Sequence, residues 1–215
     1  MKLSICYITA RANPSWDMFV NSYIAQTTED QRANIQIIFV DGKLWYPDVR
    51  IDSMLPSMAL AHHFYHDPKR RYDLEMVVSK RFDYLHIPPK PCLLQGPFRK
   101  TSRDFFCASN TRNTAIIAAE GQYLVCVDDL SVLMPGWIPQ VMHAALNGYC
   151  VCGAYKKVLD LAVVTDQSRP NWYDIKYNDH PPGVDSRWAH GSDSGIVPWT
   201  GAGLFGCSFG VPTEA

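Results

Sequence analysis

The sequence predicts an α/β fold in which a mainly parallel β-sheet is flanked by helices. Two observations support this class: apolar, β-rich runs alternate with helix-spaced segments, and the run at 123–127 is almost continuously apolar. A continuous apolar run is typical of a central parallel strand that is covered on both faces. The length of 215 residues suits one large α/β domain, so we interpret 1–215 as a single domain.

The N-terminal part of the chain predicts a β-α-β unit. An apolar run at 3–9 is followed by apolar residues at helical spacing over 16–26, and a second apolar run at 35–40 stops at Asp41-Gly42. Two strands joined through a helix are expected to pair in parallel, with a right-handed crossover.

The next segment, about 43–100, mixes proline, charged and aromatic residues without a clear period. We interpret it as an insertion that contains one short strand at 84–87. The later elements are predicted to be a helix at 109–119 with Ile116 and Ile117 on its apolar face, a strand at 123–127, a helix at 138–146, and strands at 149–155 and 201–211. Gly121 is expected to act as the C-cap of the first of these helices.

Composition excludes several functional classes. The formal net charge is −1, so there is no basic excess of the kind that nucleic-acid or anionic membrane surfaces require. No apolar run approaches the ~20 residues of a transmembrane helix. The N-terminus lacks the pattern of a signal peptide. The seven cysteines are odd in number and irregularly spaced, so we expect reduced thiols and a cytoplasmic protein.

Asp128 and Asp129 directly follow the most apolar predicted strand. Ligands of open α/β sheets gather outside the carboxyl ends of the strands. Two adjacent carboxylates repel each other at a partly buried position unless a cation or hydrogen-bond donors offset the charge. A hard divalent ion that bridges substrate phosphates is one solution. The structural alternative is that Asp129 caps the following turn and Asp128 is solvated.

Polar residues also follow the first two predicted strands. Thr9 and Arg11 follow the first strand and Asp41 follows the second. If these strands are parallel, these residues lie at the same edge of the sheet as Asp128. There the carboxylate of Asp41 could accept hydrogen bonds from a base or a ribose, although Asp-Gly is also a common turn sequence.

Arg112 lies near the start of the helix predicted at 109–119. Helix N-termini carry free N–H groups and favour anions, so Arg112 could bind a phosphate or the edge of a base there. The structural alternative is ordinary N-capping by Ser109 or Asn110, with Arg112 in solvent.

Five segments of the chain occur in the order seen in family 2 glycosyltransferases of the GT-A fold. They are Cys6–Arg11 (CYITAR), Ile37–Gly42 (IIFVDG), Thr111–Ile116 (TRNTAI), Glu120–Leu133 (EGQYLVCVDDLSVL) and Pro135–Trp137 (PGW). The sequence resembles this family over most of 1–42 and 107–155, and less clearly over 198–215.

This resemblance implies a GT-A fold and transfer of a sugar from a nucleoside diphosphate donor, such as a UDP-sugar, to a hydroxyl of a glycan or another acceptor. It further implies direct displacement with inversion, assisted by Mn²⁺ or Mg²⁺. The nucleotide-binding part would be about 1–155, and about 156–215 would contain the donor and acceptor loops.

The resemblance also implies roles by position. The residues that match nucleotide-binding positions are Thr9, Arg11, Asp41, Arg112 and Asp128. Asp128 and Asp129 match a short, DXD-like aspartate motif in which Asp129 would hold the metal and Asp128 would stand beside it, facing the ribose or diphosphate. Leu130 occupies a position where many relatives carry a third acidic residue or Asn, which leaves Asp129 as the main metal ligand of the motif.

The C-terminal part resembles the strand that backs the donor sugar. Gly201, Ala202 and Gly203 match that strand, and their small side chains would allow the sugar to approach closely. In the family, the helix that follows leads to an acidic segment that carries the catalytic base. The sequence stops before such a segment, so we expect the base to lie beyond Ala215.

Two other functions remain open at this stage. One is a nucleotidyltransferase on a related fold, which also uses acidic metal ligands but normally has a Gly-rich basic loop after its first strand, where this chain has Arg11–Pro14. The other is a non-catalytic module that binds a sugar nucleotide or a glycan.

Overall fold

Strands and helices alternate along most of the described chain. The computed structural model describes residues 1–44, 68–95, 100–101, 105–129, 131–133, 135–152 and 208–213. In chain order its elements are β1 (Leu3–Thr9), α1 (Trp16–Ala25), α2 (Glu29–Arg32), β2 (Ile35–Asp41), α3 (Pro68–Val78), β3 (Tyr84–Ile87), α4 (Ala108–Ala118), β4 (Tyr123–Asp128), α5 (Trp137–Leu146), β5 (Val151–Cys152) and β6 (Ser208–Pro212).

The six described strands form one sheet in the order β3-β2-β1-β4-β6-β5. The first four strands in this order are parallel to one another. Strand β6 is antiparallel to both of its neighbours, β4 and β5. The predicted α/β class, with a mainly parallel sheet flanked by helices, is therefore confirmed.

Apolar side chains cover the central strands on both faces. One cluster joins alternate residues of β1, such as Ile5 and Tyr7, to side chains of α1, α3 and α5. The other joins the intervening residues, such as Cys6 and Ile8, to Ala115 of α4. Burial on both faces explains why the run at 123–127 is continuously apolar rather than alternating.

Helix α4 packs against the sheet through the face opposite to the predicted one. Ile116 and Ile117 are 52% and 73% exposed, so the expectation that they form the buried face is wrong. The buried side is instead small and polar, and it includes Thr111 and Thr114. Their hydroxyls donate to the carbonyls four residues earlier, at 3.0 and 2.8 Å, which satisfies them within the helix and allows their burial.

Gly121 has a role other than the predicted C-cap. Helix α4 ends at Ala118 with an extended residue after it, and Gly121 lies against the start of β1. A Cβ atom at this position would stand 2.5 Å from the backbone nitrogen of Ser4. Glycine is therefore required here for close approach of two backbone segments.

Part of the segment interpreted as an insertion belongs to the core of the fold. The strand predicted at 84–87 is confirmed, and it pairs with β2 at one edge of the sheet. Helix α3 buries Leu74 and Val78 in the first apolar cluster. The backbone of Lys90 is bonded to α4, because its N–H donates to the hydroxyl of Thr114 at 2.8 Å and its carbonyl accepts from Asn110 at 2.6 Å.

Within the described ranges, no helix combines the length and apolar character needed to cross a membrane.

Replacing Gly121 by Ala is expected to lower the free energy of unfolding by about 2–3 kcal/mol, because the added methyl group has no space beside Ser4. Gly148→Ala is the control: its φ is +66° but nothing lies within 4 Å of the added atom, so only the left-handed backbone cost of about 1 kcal/mol applies. Urea unfolding of both variants measures the difference. Equal losses would contradict the steric explanation.

Candidate functional site

The carboxyl ends of β1, β2 and β4 meet at one edge of the sheet. Thr9, the last residue of β1, is the register partner of Asp41, the last residue of β2. On the other side, Ile8 is the partner of Asp128, the last residue of β4. Parallel pairing thus gathers polar residues that are far apart in the sequence.

Asp129 is bound by the residues that follow β1. The Nε atom of Arg11 lies 2.8 Å from Oδ2 of Asp129. The hydroxyl of Thr9 donates to the same oxygen at 3.1 Å and accepts the backbone N–H of Arg11 at 3.2 Å. Asp129 is largely covered, whereas half of the Arg11 side chain is exposed. The guanidinium of Arg11 is therefore anchored at one end and accessible at the other.

Asp128 is paired with Arg112. The Nη2 atom of Arg112 donates to Oδ1 of Asp128 at 2.8 Å, and the guanidinium lies 5.9 Å from the ring centroid of Phe209 in β6. Burial raises the pKa of Asp128, the positive charge of Arg112 opposes this rise, and the neighbouring Asp129 adds to it. Arg112 extends from the second turn of α4 and not from a free helix end, since the helix begins at Ala108.

This cluster combines two carboxylates with two guanidinium groups, so its charges balance. The repulsion between Asp128 and Asp129, from which the sequence predicts a metal, is offset by Arg112 and Arg11. Each carboxylate bonds to its arginine through one oxygen. Among the described residues, no hydrogen bond reaches Oδ2 of Asp128 or Oδ1 of Asp129. These two carboxylate oxygens fit the preference of Mg²⁺ or Mn²⁺ for carboxylate ligands.

Asp41 is also at this edge, but its carboxylate faces the protein. The residue is 0% exposed. Arg70 of α3 binds it with two bonds of 2.7 Å, from Nε to Oδ2 and from Nη2 to Oδ1. His86 of β3 lies 3.3 Å from Oδ2, and the backbone N–H of Lys43 donates to Oδ1 at 2.9 Å. A direct contact of Asp41 with a base or ribose stays a prediction, and in this arrangement protein groups occupy both oxygens.

These partners hold Asp41 in its ionised form. Burial acts to raise the pKa of Asp41, but the hydrogen bonds from His86 and Arg70 and the positive charge of Arg70 outweigh it, so the pKa lies below its usual value. The Arg70 guanidinium also lies 5.5 Å from the ring centroid of Trp16, and the ring of His86 meets Trp16 edge-on.

Sequence reasoning did not identify Arg70, His86 or Trp16 as neighbours of the site. The one available signal is Asp41 itself, since a carboxylate at the end of an otherwise apolar strand requires a buried partner. The pattern around Arg70 gives no indication that this arginine, and not one of its charged neighbours, turns inward.

Several predicted features lie outside the described residues. They include the donor-sugar residues Gly201, Ala202 and Gly203, most of the strand at 201–211, and Leu130. Cys6, Cys92, Cys107, Cys126 and Cys150 are free thiols.

No protein-family model matches the sequence, and no curated protein matches it. Among solved structures, the chain is similar to a crystal structure of S. aureus TarS 1-349, with 14% identity, a TM-score of 0.45, and coverage of 74% of this chain and 37% of that one. A second crystal structure of S. aureus TarS matches with 15% identity, a TM-score of 0.31, and coverage of 60% and 16%. This chain spans well under half the length of either. Membership of family 2 and an inverting mechanism stay predictions.

Asp41→Asn is expected to lower the free energy of unfolding by about 3 kcal/mol at pH 7, because it removes the negative charge from a buried ion pair with Arg70. The pKa of Asp41 is lowered by folding, so its contribution is complete above the unfolded value of about 3.9 and is lost as the pH falls through the folded value. The difference between wild type and variant should therefore shrink below about pH 4.

Urea unfolding between pH 7 and pH 3 tests this expectation, with the exposed Asp30→Asn as the control that should have little effect. A difference that stays constant over this range would contradict it.

Proposed function

We propose that this chain binds a nucleoside diphosphate sugar, such as a UDP-sugar, at the edge formed by β1 and β4, and transfers the sugar to an acceptor hydroxyl. The observation that carries the proposal is the pairing of Arg11 with Asp129 and of Arg112 with Asp128 at adjacent strand ends. Guanidinium groups are suited to phosphate oxygens, and carboxylates are suited to a divalent cation. A metal–diphosphate ligand offers both partners at once.

The partial exposure of these pairs allows a ligand to replace them. Ion pairs of exposed side chains contribute about 0–1 kcal/mol. Arg11 is half exposed, so little free energy is needed to separate it from Asp129. Arg112 is only 20% exposed, so its separation from Asp128 requires that the diphosphate replace the lost bond. In the proposed complex, Arg11 and Arg112 would turn to the diphosphate, and Asp129, together with Asp128, would hold Mn²⁺ or Mg²⁺. The hydroxyl of Thr9 stays on Oδ2 of Asp129 and orients it.

The chain's own groups would act on the leaving diphosphate. As the bond between the sugar and the diphosphate breaks, negative charge grows on the diphosphate oxygens, and Arg11 and Arg112 stabilise it. A bound divalent cation supplies further stabilisation of the same charge. By the family resemblance, Gly201, Ala202 and Gly203 back the donor sugar and the reaction inverts the anomeric carbon.

The described edge favours this function over nucleotidyl transfer. In the segment after β1, the N–H of Arg11 donates to the hydroxyl of Thr9 at 3.2 Å, and the carbonyls of Arg11 and Ala12 accept hydrogen bonds from Arg70 at 3.0 and 2.9 Å. A Gly-rich phosphate loop instead presents free backbone N–H groups to the ligand. Binding of a nucleoside triphosphate in preference to a diphosphate sugar would reverse this choice, and tight donor binding without transfer would indicate a non-catalytic module.

UDP with Mn²⁺ is expected to stabilise the chain, by about 2.7 kcal/mol at a ligand concentration 100 times the Kd. Asp129→Asn should remove the part of this stabilisation that depends on Mn²⁺, because it removes a charged ligand, whereas the exposed Asp30→Asn should leave it unchanged. Thermal shifts across a panel of nucleoside diphosphates, with and without Mn²⁺, provide the measurement. The absence of a thermal shift with every nucleotide would contradict the proposal.

Arg11→Gln is expected to change the binding of metal and nucleotide in opposite directions. Without the guanidinium, Oδ2 of Asp129 loses its cation partner, so Mn²⁺ alone should bind more tightly, while UDP with Mn²⁺ should bind more weakly. Arg71→Gln, which removes one exposed charge from α3, is the matched control. Isothermal titration with Mn²⁺ alone and with UDP plus Mn²⁺ measures both effects, and a parallel loss of both would contradict the exchange of partners.

A further inference from the structure

Arg70 joins three parts of the fold that surround the candidate site. Its Nε and Nη2 atoms bind the carboxylate of Asp41 at the end of β2. Its Nη2 and Nη1 atoms also donate to the carbonyls of Arg11 and Ala12, at 3.0 and 2.9 Å, in the segment that follows β1. The side chain belongs to α3 and is almost completely buried. One guanidinium group thus connects α3, β2 and the segment that carries Arg11.

We propose that Arg70 is a positioning residue for the β1–β4 edge, which sets the location of the Arg11 guanidinium through the backbone of Arg11 and Ala12. This inference rests on the proposed function, since it concerns how the diphosphate is bound. The connection is short: the same residue, Arg11, accepts from Arg70 through its carbonyl and reaches Asp129 through its side chain.

Only an arginine can make this set of contacts. The planar guanidinium presents several N–H groups in fixed directions, two toward Asp41 and two toward backbone carbonyls, whereas a lysine ammonium is a single point of charge. The ring of Trp16 lies against the guanidinium of Arg70, and the ring of His86 meets Trp16 edge-on, so two aromatic rings border the Arg70–Asp41 pair. Turning either Asp41 or Arg70 toward a ligand would break this buried ion pair.

The physical effect is preorganisation. The residues after β1 do not continue the sheet, so without Arg70 their backbone could adopt several conformations, each with a different position for the Arg11 side chain. Fixing the two carbonyls removes this freedom before the ligand binds. The free energy of binding then does not include the entropic cost of ordering the segment. The pair of Arg11 with Asp129 alone is too exposed to supply this order.

An ion pair that only stabilises the fold would have the same contacts. The test therefore needs a measurement that does not depend on the free energy of unfolding. We expect Arg70→Lys to fold and to weaken the binding of UDP with Mn²⁺ on the order of 10-fold by isothermal titration. If Arg70 acts through Arg11, the double variant Arg70→Lys/Arg11→Ala should bind no more weakly than Arg11→Ala alone. Additive losses would overturn the inference, as would unchanged affinity in Arg70→Lys.

A second measurement needs no ligand. In Arg70→Lys, amide hydrogen exchange of Arg11, whose N–H donates to Thr9, should become faster, and unchanged exchange would overturn the inference. Arg81→Lys is the control for the loss of an arginine's bonds to backbone carbonyls, because Arg81, which is exposed, donates to Val77 and Val78 away from the site. It should alter neither exchange at Arg11 nor binding.

If Arg70→Lys does not fold, Arg70→Gln combined with Asp41→Asn removes both buried charges together and takes its place in the same measurements. Failure of the wild-type chain to bind any nucleotide would count against the proposed function, whereas the exchange measurement would still decide the role of Arg70.

Discussion

Parallel pairing of β1 with both β2 and β4 is the constraint on which the candidate site depends. It aligns Thr9 with Asp41 and Ile8 with Asp128, so three polar strand ends arrive at one edge. A slip of one residue in β4 would turn Asp128 to the opposite face of the sheet. Such a slip would also exchange the residues of the two apolar clusters, and burial on both faces therefore protects the geometry of the site.

The edge contains two kinds of ion pair with different consequences. Asp41 and Arg70 are buried, and breaking such a pair by removing one partner costs about 3–5 kcal/mol, so this pair belongs to the architecture. Arg11 is half exposed and Arg112 is 20% exposed, so their pairs with Asp129 and Asp128 cost less to break than the buried pair. A ligand can therefore replace the outer pairs while the inner pair keeps the backbone in place.

The segment at 68–95 shows why an irregular stretch of sequence can be central to a fold. Helix α3 contributes few apolar residues, and its spacing gives a weak helical signal, but Leu74 and Val78 reach the core and Arg70 reaches Asp41. Strand β3 adds His86 to the same carboxylate. The hydrophobic pattern records only burial of apolar surface, so it does not indicate that this helix also places an arginine in the interior.

The α/β class, the parallel pairing of the first strands and the aspartates at the end of β4 could be predicted from the amino-acid sequence, because hydrophobic periodicity and strand ends are local properties of the chain. The tertiary structure determines which polar groups pair. It turned Asp41 inward to Arg70, bound Asp128 and Asp129 to arginines, and buried the polar face of α4 instead of Ile116 and Ile117. These outcomes depend on charges and packing surfaces that are distant in sequence, and no local pattern contains that information.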